Sequence, residues 1–264
     1  MFYWIYDIPT WTAAALLAAI FVGVSWFGVI FVCPLLMRFF PKQRGWNDIV
    51  SYFLSFFSVI YGLLLGLLAV ATYQNLSDVD KTAALEATSL AALYRDVSSY
   101  PEPNRTELQD LLRDYTRYVI EEAWPLQREG IVPAGGTERI TTFQARLITF
   151  EPQTKGQEAL HAEALHQYNN LLEHRRVRLY SVKTSIPPFI WYTVVVGAQI
   201  NMFLVWMFDI GVAAHLVLGG LIAIFTSTMF CLIAIMDNPY RGEISVTPEA
   251  FQLIYEGLME KPAS

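Results

Sequence analysis

Residues 50–72 read VSYFLSFFSVIYGLLLGLLAVAT, a stretch without Asp, Glu, Lys or Arg. A hydrocarbon core about 30 Å thick is crossed by about 20 apolar helical residues, so this stretch is long enough to span a bilayer. Three more stretches match it, at 11–37, 187–208 and 211–236, and none carries a formal charge. Aromatic residues punctuate their ends: Trp4, Tyr6 and Trp11 at the first, Trp46 and Tyr52 at the second, Trp191 and Tyr192 after Pro187-Pro188 at the third. Such rings prefer the headgroup level. Only Asp209-Ile210-Gly211 joins the last two spans, which requires a tight antiparallel hairpin.

Composition agrees. Of 264 residues, 54% are hydrophobic and 16% charged, against about 25% charged in soluble domains. The charges crowd into 74–186. The expected organisation is therefore all-α: transmembrane helices 1 and 2 in 1–73, a helical water-facing domain in 74–186, helices 3 and 4 in 187–236, and a turn and short helix in 237–264. A net charge of −6 gives no basic footprint for nucleic acid. Cys33 and Cys231 lie inside apolar segments and read as packing residues, without a disulfide framework or zinc spacing. The N-terminal MFYWIYDIPT lacks the basic start of a secretory signal, so it is expected to stay attached.

Within 74–186, the chain reads as helices between breakers. The second span either continues past Asn75-Leu-Ser77 or yields to a new helix over 78–99. Pro101-Glu-Pro103 breaks it, and Asn104 is the expected cap of a helix over 105–124, with Leu108, Leu111, Leu112, Tyr115 and Val119 on one face. A helix from Thr137 to about 150 follows, then one over 157–184 whose stripe is Leu165, Tyr168, Leu172 and Leu179. Thr247-Pro248-Glu249 opens a last helix. Four spans put both termini and the domain on one side. Lys81, Arg175, Arg176, Arg178, Lys183 and Arg241 flank the spans there, against Arg38, Lys42 and Arg44 opposite, which favours a cytoplasmic domain.

Within the second span, Ser51, Ser55, Ser58, Gly62, Gly66 and Ala69 form a small-residue face, Gly62 and Gly66 making a G-x-x-x-G that lets helices approach closely. Phe53, Phe57, Ile60, Leu64 and Leu68 form the other. In a ring of subunits one face packs and the other looks inward, where bulky apolar side chains gate by dewetting; the plain alternative is a lipid-facing stripe. Arg38, Lys42 and Arg44 at its mouth attract anions or lipid headgroups. Gln199, Asn201 and His215 are expected to hydrogen-bond neighbouring helices. Glu158/His161 and Glu163/His166 have the i, i+3 spacing of di-metal bundles, but the pairs diverge by about 140° around the helix, so a solvated face is expected and no metal. No nucleophile elbow, Walker loop or dinucleotide fingerprint occurs. No cofactor and no enzyme activity are expected. Glu86, in an alanine-rich helix, has Arg95, Arg175, Arg176 and Arg178 as candidate partners, and Asp237-Asn-Pro239-Tyr-Arg-Gly242-Glu243 forms a turn where the last span ends.

These residues carry a resemblance. Glu86-Ala with Leu-Tyr-Arg95, Tyr115 ahead of Trp124, Pro187-Pro188-x-x-Trp191, Asp-Asn-Pro-Tyr-Arg-Gly at 237–242 and Val246-Thr-Pro248 together resemble the bacterial bestrophin-like membrane domain, over about 50–258. That family is grouped with bestrophins, pentameric anion channels whose second span lines a hydrophobic neck. The resemblance implies a bacterial inner-membrane homo-oligomer surrounded by lipid and passing small inorganic anions. Phe53, Phe57, Ile60 and Leu64 are then neck candidates, Arg38, Lys42 and Arg44 an anion-attracting mouth, and Asp237, Pro239 and Gly242 a structural turn. The acidic run that clasps calcium in bestrophins is missing, since a single acid follows Gly242, whereas calcium takes six to eight oxygens. A non-conducting scaffold or sensor whose domain binds a partner is the alternative reading.

Overall fold

The computed structural model describes residues 3–39 and 44–260. Its elements are helical: α1 (Thr10–Phe27), α2 (Cys33–Phe39), α3 (Trp46–Ser98), α4 (Asn104–Tyr118), α5 (Trp124–Arg128), α6 (Gly135–Ile148), α7 (Lys155–Ser181), α8 (Pro188–Trp206), α9 (Val212–Met236) and α10 (Glu249–Ile254). Four helices are long and apolar enough to cross a membrane: Thr10–Phe39, Trp46–Ser98, Pro188–Trp206 and Val212–Met236.

Two wide π turns interrupt longer helices, at Gly28–Val32 and Val119–Ala123. Each lies just before a proline, Pro34 and Pro125. Proline has no N–H for the carbonyl four residues back and its ring crowds that carbonyl, so the turn ahead of it widens without ending the helix. The second span does continue. α3 runs 53 residues, about 80 Å at 1.5 Å per residue, because Lys81–Arg95 is rich in Ala and Leu and no proline intervenes before Pro101. At the start of α4, Glu102 supplies the side-chain cap in place of Asn104, its carboxylate accepting from Thr106 N (3.2 Å) and Thr106 Oγ1 (3.0 Å). Thr154 caps α7 by accepting from Gln157 N (3.2 Å), and the Gln157 side chain accepts in turn from Gln153 N (2.7 Å), the residue before the cap.

The chain divides into two compact units. The apolar unit holds residues 1–74, 185–237 and 242–244. Its core gathers Leu17, Tyr61, Leu65, Trp191, Val194 and Phe230, among others. Close approach occurs at Gly28, where a Cβ would lie 1.9 Å from the Trp206 ring, and at Gly197, 2.5 Å from the Tyr61 ring. Trp206 donates to Ser25 O (3.1 Å) and Tyr61 to Val194 O (3.1 Å). At the hairpin end, Asn47 brackets Asp209 with two 2.9 Å bonds and Trp46 donates to Met207 O (2.8 Å). As expected, Asn201 accepts from Ser58 Oγ (3.1 Å) and His215 Nε2 lies 2.8 Å from Val205 O.

The second unit holds residues 75–184, 238–241 and 245–264. Its core is built from Val79, Leu90, Leu93, Leu108, Leu112, Tyr115, Trp124, Phe143, Leu147, Tyr168, Leu171 and Phe251.

Candidate functional site

α3 presents two sides in the apolar unit. Val50, Tyr61, Leu65 and Thr72 are buried, and the 3.6-residue turn puts all four on one side. The opposite side is bare: Phe56 is 69% exposed, Leu63 64% and Leu67 62%, with Val59 and Val70 alongside. This line of large apolar side chains lies a quarter turn from both faces read from the sequence. Of the neck candidates, Phe53 and Ile60 border the bare side. Phe57 and Leu64 instead turn inward against the apolar core, Phe57 stacking on Tyr61 at 6.2 Å between ring centroids. Nothing in the sequence sets Phe56, Leu63 and Leu67 apart. Every side of this span is apolar or small, so hydropathy gave no phase, and only the matching positions of Tyr61, with its hydroxyl, and Thr72 marked the buried side.

Gly62 and Gly66 lie on the edge of the bare side, and a Cβ on either would meet nothing within 4 Å. Inside the protomer they pack against no helix. Arg38, in the last turn of α2, and Arg44, before α3, are exposed. Lys42 lies outside the described residues.

Asp237 accepts from Ile186 N (2.5 Å) and Trp191 Nε1 (3.2 Å), tying the end of α9 to the start of α8. Burial raises its pKa, and these two donors oppose the rise. Pro239 O accepts from Val246 N (2.8 Å), and Gly242 turns with φ +83°, a region L side chains avoid.

In the second unit, Glu86 and Arg178 form a fully buried pair. Arg178 donates from Nε to Glu86 Oε2 (2.5 Å), from Nη2 to Glu86 Oε1 (3.1 Å) and from Nη1 to Gln127 Oε1 (2.9 Å). Tyr115 donates to Glu86 Oε1 (2.8 Å). The guanidinium lies over Trp124 and Phe251, 5.4 and 5.6 Å from their centroids. Burial alone disfavours charge on Arg178, but the Glu86 carboxylate outweighs it and the pKa is raised. Of the four candidate arginines, Arg178 is the partner. His161 corrects the solvated-face reading of α7: its Nδ1 lies 2.8 Å from Tyr100 Oη, and its ring packs on Tyr100 and Phe150. Among the described residues, no three of His, Cys, Asp and Glu are placed to hold a metal ion.

Four apolar helices, a long second span and a helical unit built around a buried ion pair define an all-α, four-span integral membrane protein of bestrophin fold. A family model for the bestrophin-like domain matches residues 19–251, and the chain belongs to that family. A variant of a bacterial bestrophin homologue from Klebsiella pneumoniae is similar in structure, with a TM-score of 0.67 and 9% identity over 91% of this chain and 97% of that one. Another structure of the homologue from the same organism gives 0.64 and 9%, over 94% and 98%. A variant described as a membrane protein gives 0.67 and 8%, over 93% and 96%. No curated protein matches the chain.

Proposed function

We propose that this chain is one subunit of a homo-oligomeric ion channel of a bacterial inner membrane, anion-preferring, with α3 at its axis and its termini in the cytoplasm. The observation that carries the reading is the bare line Phe56, Leu63, Leu67 on the longest helix. Around an axis, those side chains form a narrow apolar neck that controls permeation by wetting. Phe53 and Ile60, at the border of that line, complete the neck at its start. Arg38, Lys42 and Arg44, repeated around the axis, concentrate small inorganic anions at the mouth of the span. Gly62 and Gly66 supply a small-residue surface for the neighbouring copy. An apolar groove of about 770 Å³ between α1 and α8 is lined by Leu17, Phe21, Val195, Gln199, Phe203 and Phe230.

Purified protein in planar bilayers tests the reading. Discrete currents are expected, and Leu63→Ala is expected to raise unit conductance by widening the neck. Absence of current in the wild-type protein, with an intact oligomer, would replace the channel with a scaffold whose helical domain binds a partner.

A further inference from the structure

Beyond the apolar stretch, the bare side of α3 continues, and its chemistry changes. The helix is unbroken from Trp46 to Ser98. Lys81 follows Leu63 by eighteen residues, five full turns at 3.6 residues each, so it returns to the same side of the helix about 27 Å further along. Thr88 and Arg95 follow at heptad spacing, each drifting about 20° from the previous one. Lys81, Thr88 and Arg95 are all exposed, whereas Val79, Ala83, Glu86, Leu90, Leu93 and Val97 on the other side are buried.

Among the described residues, neither the Lys81 ammonium nor the Arg95 guanidinium has a carboxylate within ion-pair distance. Arg95 was a natural partner for Glu86, but Arg178 holds that carboxylate. The positions three and four away from Arg95 are Ala91, Ala92, Ser98 and Ser99, none of which can pair with it. The exposed acids Asp78 and Asp80 stand about 60° and 100° to either side of the Lys81 line, on its flanks.

We infer that Lys81 and Arg95 are the charge-selecting residues of this protein, two cationic tiers beyond the apolar neck that take small inorganic anions such as chloride. The inference rests on the reading of α3 as the axial helix. On that reading, each copy contributes one ammonium and one guanidinium facing the path. Desolvated anions leaving the neck meet the ammonium first, and the guanidinium one heptad pair later. By the same five-turn step, Asp80 falls in line with Gly62, towards the neighbouring copy, and Asp78 falls in line with Ile60, at the border of the path and one turn before Lys81. Selectivity then belongs to the polar half of α3, and the apolar half sets conductance.

The test uses full-length protein in planar bilayers of zwitterionic lipid under a potassium chloride gradient, comparing wild type, Lys81→Gln/Arg95→Gln, Lys81→Glu/Arg95→Glu and Leu63→Ala. The wild-type reversal potential is expected on the chloride side of zero. The glutamine pair shifts it towards zero, the glutamate pair carries it towards the potassium value, and Leu63→Ala changes unit conductance with the reversal potential unmoved. A glutamate pair that keeps the wild-type reversal potential while Leu63→Ala alters conductance overturns the inference and leaves the axial reading standing. A wild-type reversal potential on the potassium side also overturns it, and assigns selection to Asp78 and Asp80. If Leu63→Ala leaves conductance unchanged, or the wild type passes no current, the axial reading fails and takes the inference with it. All three substituted positions are exposed in the protomer, so each variant is expected to elute with the wild-type oligomer.

Discussion

Arg178 shows how one residue organises the helical unit. A guanidinium fully removed from water is tolerated only when its donors are met. Here Glu86 takes two donors and Gln127 a third, and Trp124 and Phe251 cover the planar faces. Truncating one member strands the other's charge, so Arg178→Met is expected to cost about 3–5 kcal/mol of stability. Glu86→Gln with Arg178→Met removes both charges, and the double variant is expected to lose less than the two single losses combined. Strict additivity in chemical denaturation would contradict the pair's coupling. The sequence narrowed the choice among the arginines without making it. Ala164, Tyr168, Leu171 and Arg178 fall at i, i+4, i+7 and i+14, all buried on α7; Arg176 falls off that stripe, but Arg175, at i+11, falls on it. His161 makes a second prediction at this scale. Its burial lowers the pKa below the ordinary 6.5, so the neutral ring is favoured in the folded state. Its contribution to stability is complete above the unfolded value and declines as pH falls from there towards the folded one. Between about pH 7.5 and pH 5.5, wild type is expected to lose more of its melting temperature than His161→Gln. Equal losses would place His161 in solvent.

At the scale of elements, the four spans were legible because charge is absent from them, and lipid tolerates no other arrangement of backbone than closed hydrogen bonding. The π turns were legible only in part: Pro34 and Pro125 were visible, but whether a proline ends a helix or widens it depends on the packing around it. The rotation of α3 was not legible. Phe57 and Leu64 are as apolar as Phe56 and Leu63, and only packing against the apolar core, Phe57 on Tyr61, separates them. The G-x-x-x-G is not used inside the protomer, where helices close instead upon Gly28, Gly197 and Gly219. This gives a paired prediction. Gly28→Leu drives a side chain into the Trp206 ring and is expected to abolish recovery of monodisperse protein, since overpacking of this kind costs about 1–3 kcal/mol or more. Gly62→Leu has open space in the protomer and is expected to preserve the helical circular dichroism signal while reducing the oligomer to smaller species in size-exclusion chromatography. An unchanged oligomer would remove Gly62 from the contact between copies.

For the whole molecule, the unpaired surface is the informative part. The second unit has a core of aromatic and leucine side chains. The apolar unit leaves Phe56, Leu63 and Leu67 uncovered along one side of α3. In a bilayer, that side meets lipid or other copies of the same chain, and the account places it at a central axis. A reconstruction of the purified protein in lipid nanodiscs measures this directly. The account predicts a closed ring of identical subunits with α3 nearest the symmetry axis and Leu63 pointing into it. A ring whose axis is lined by another span, or a single copy with Leu63 against lipid, would contradict it.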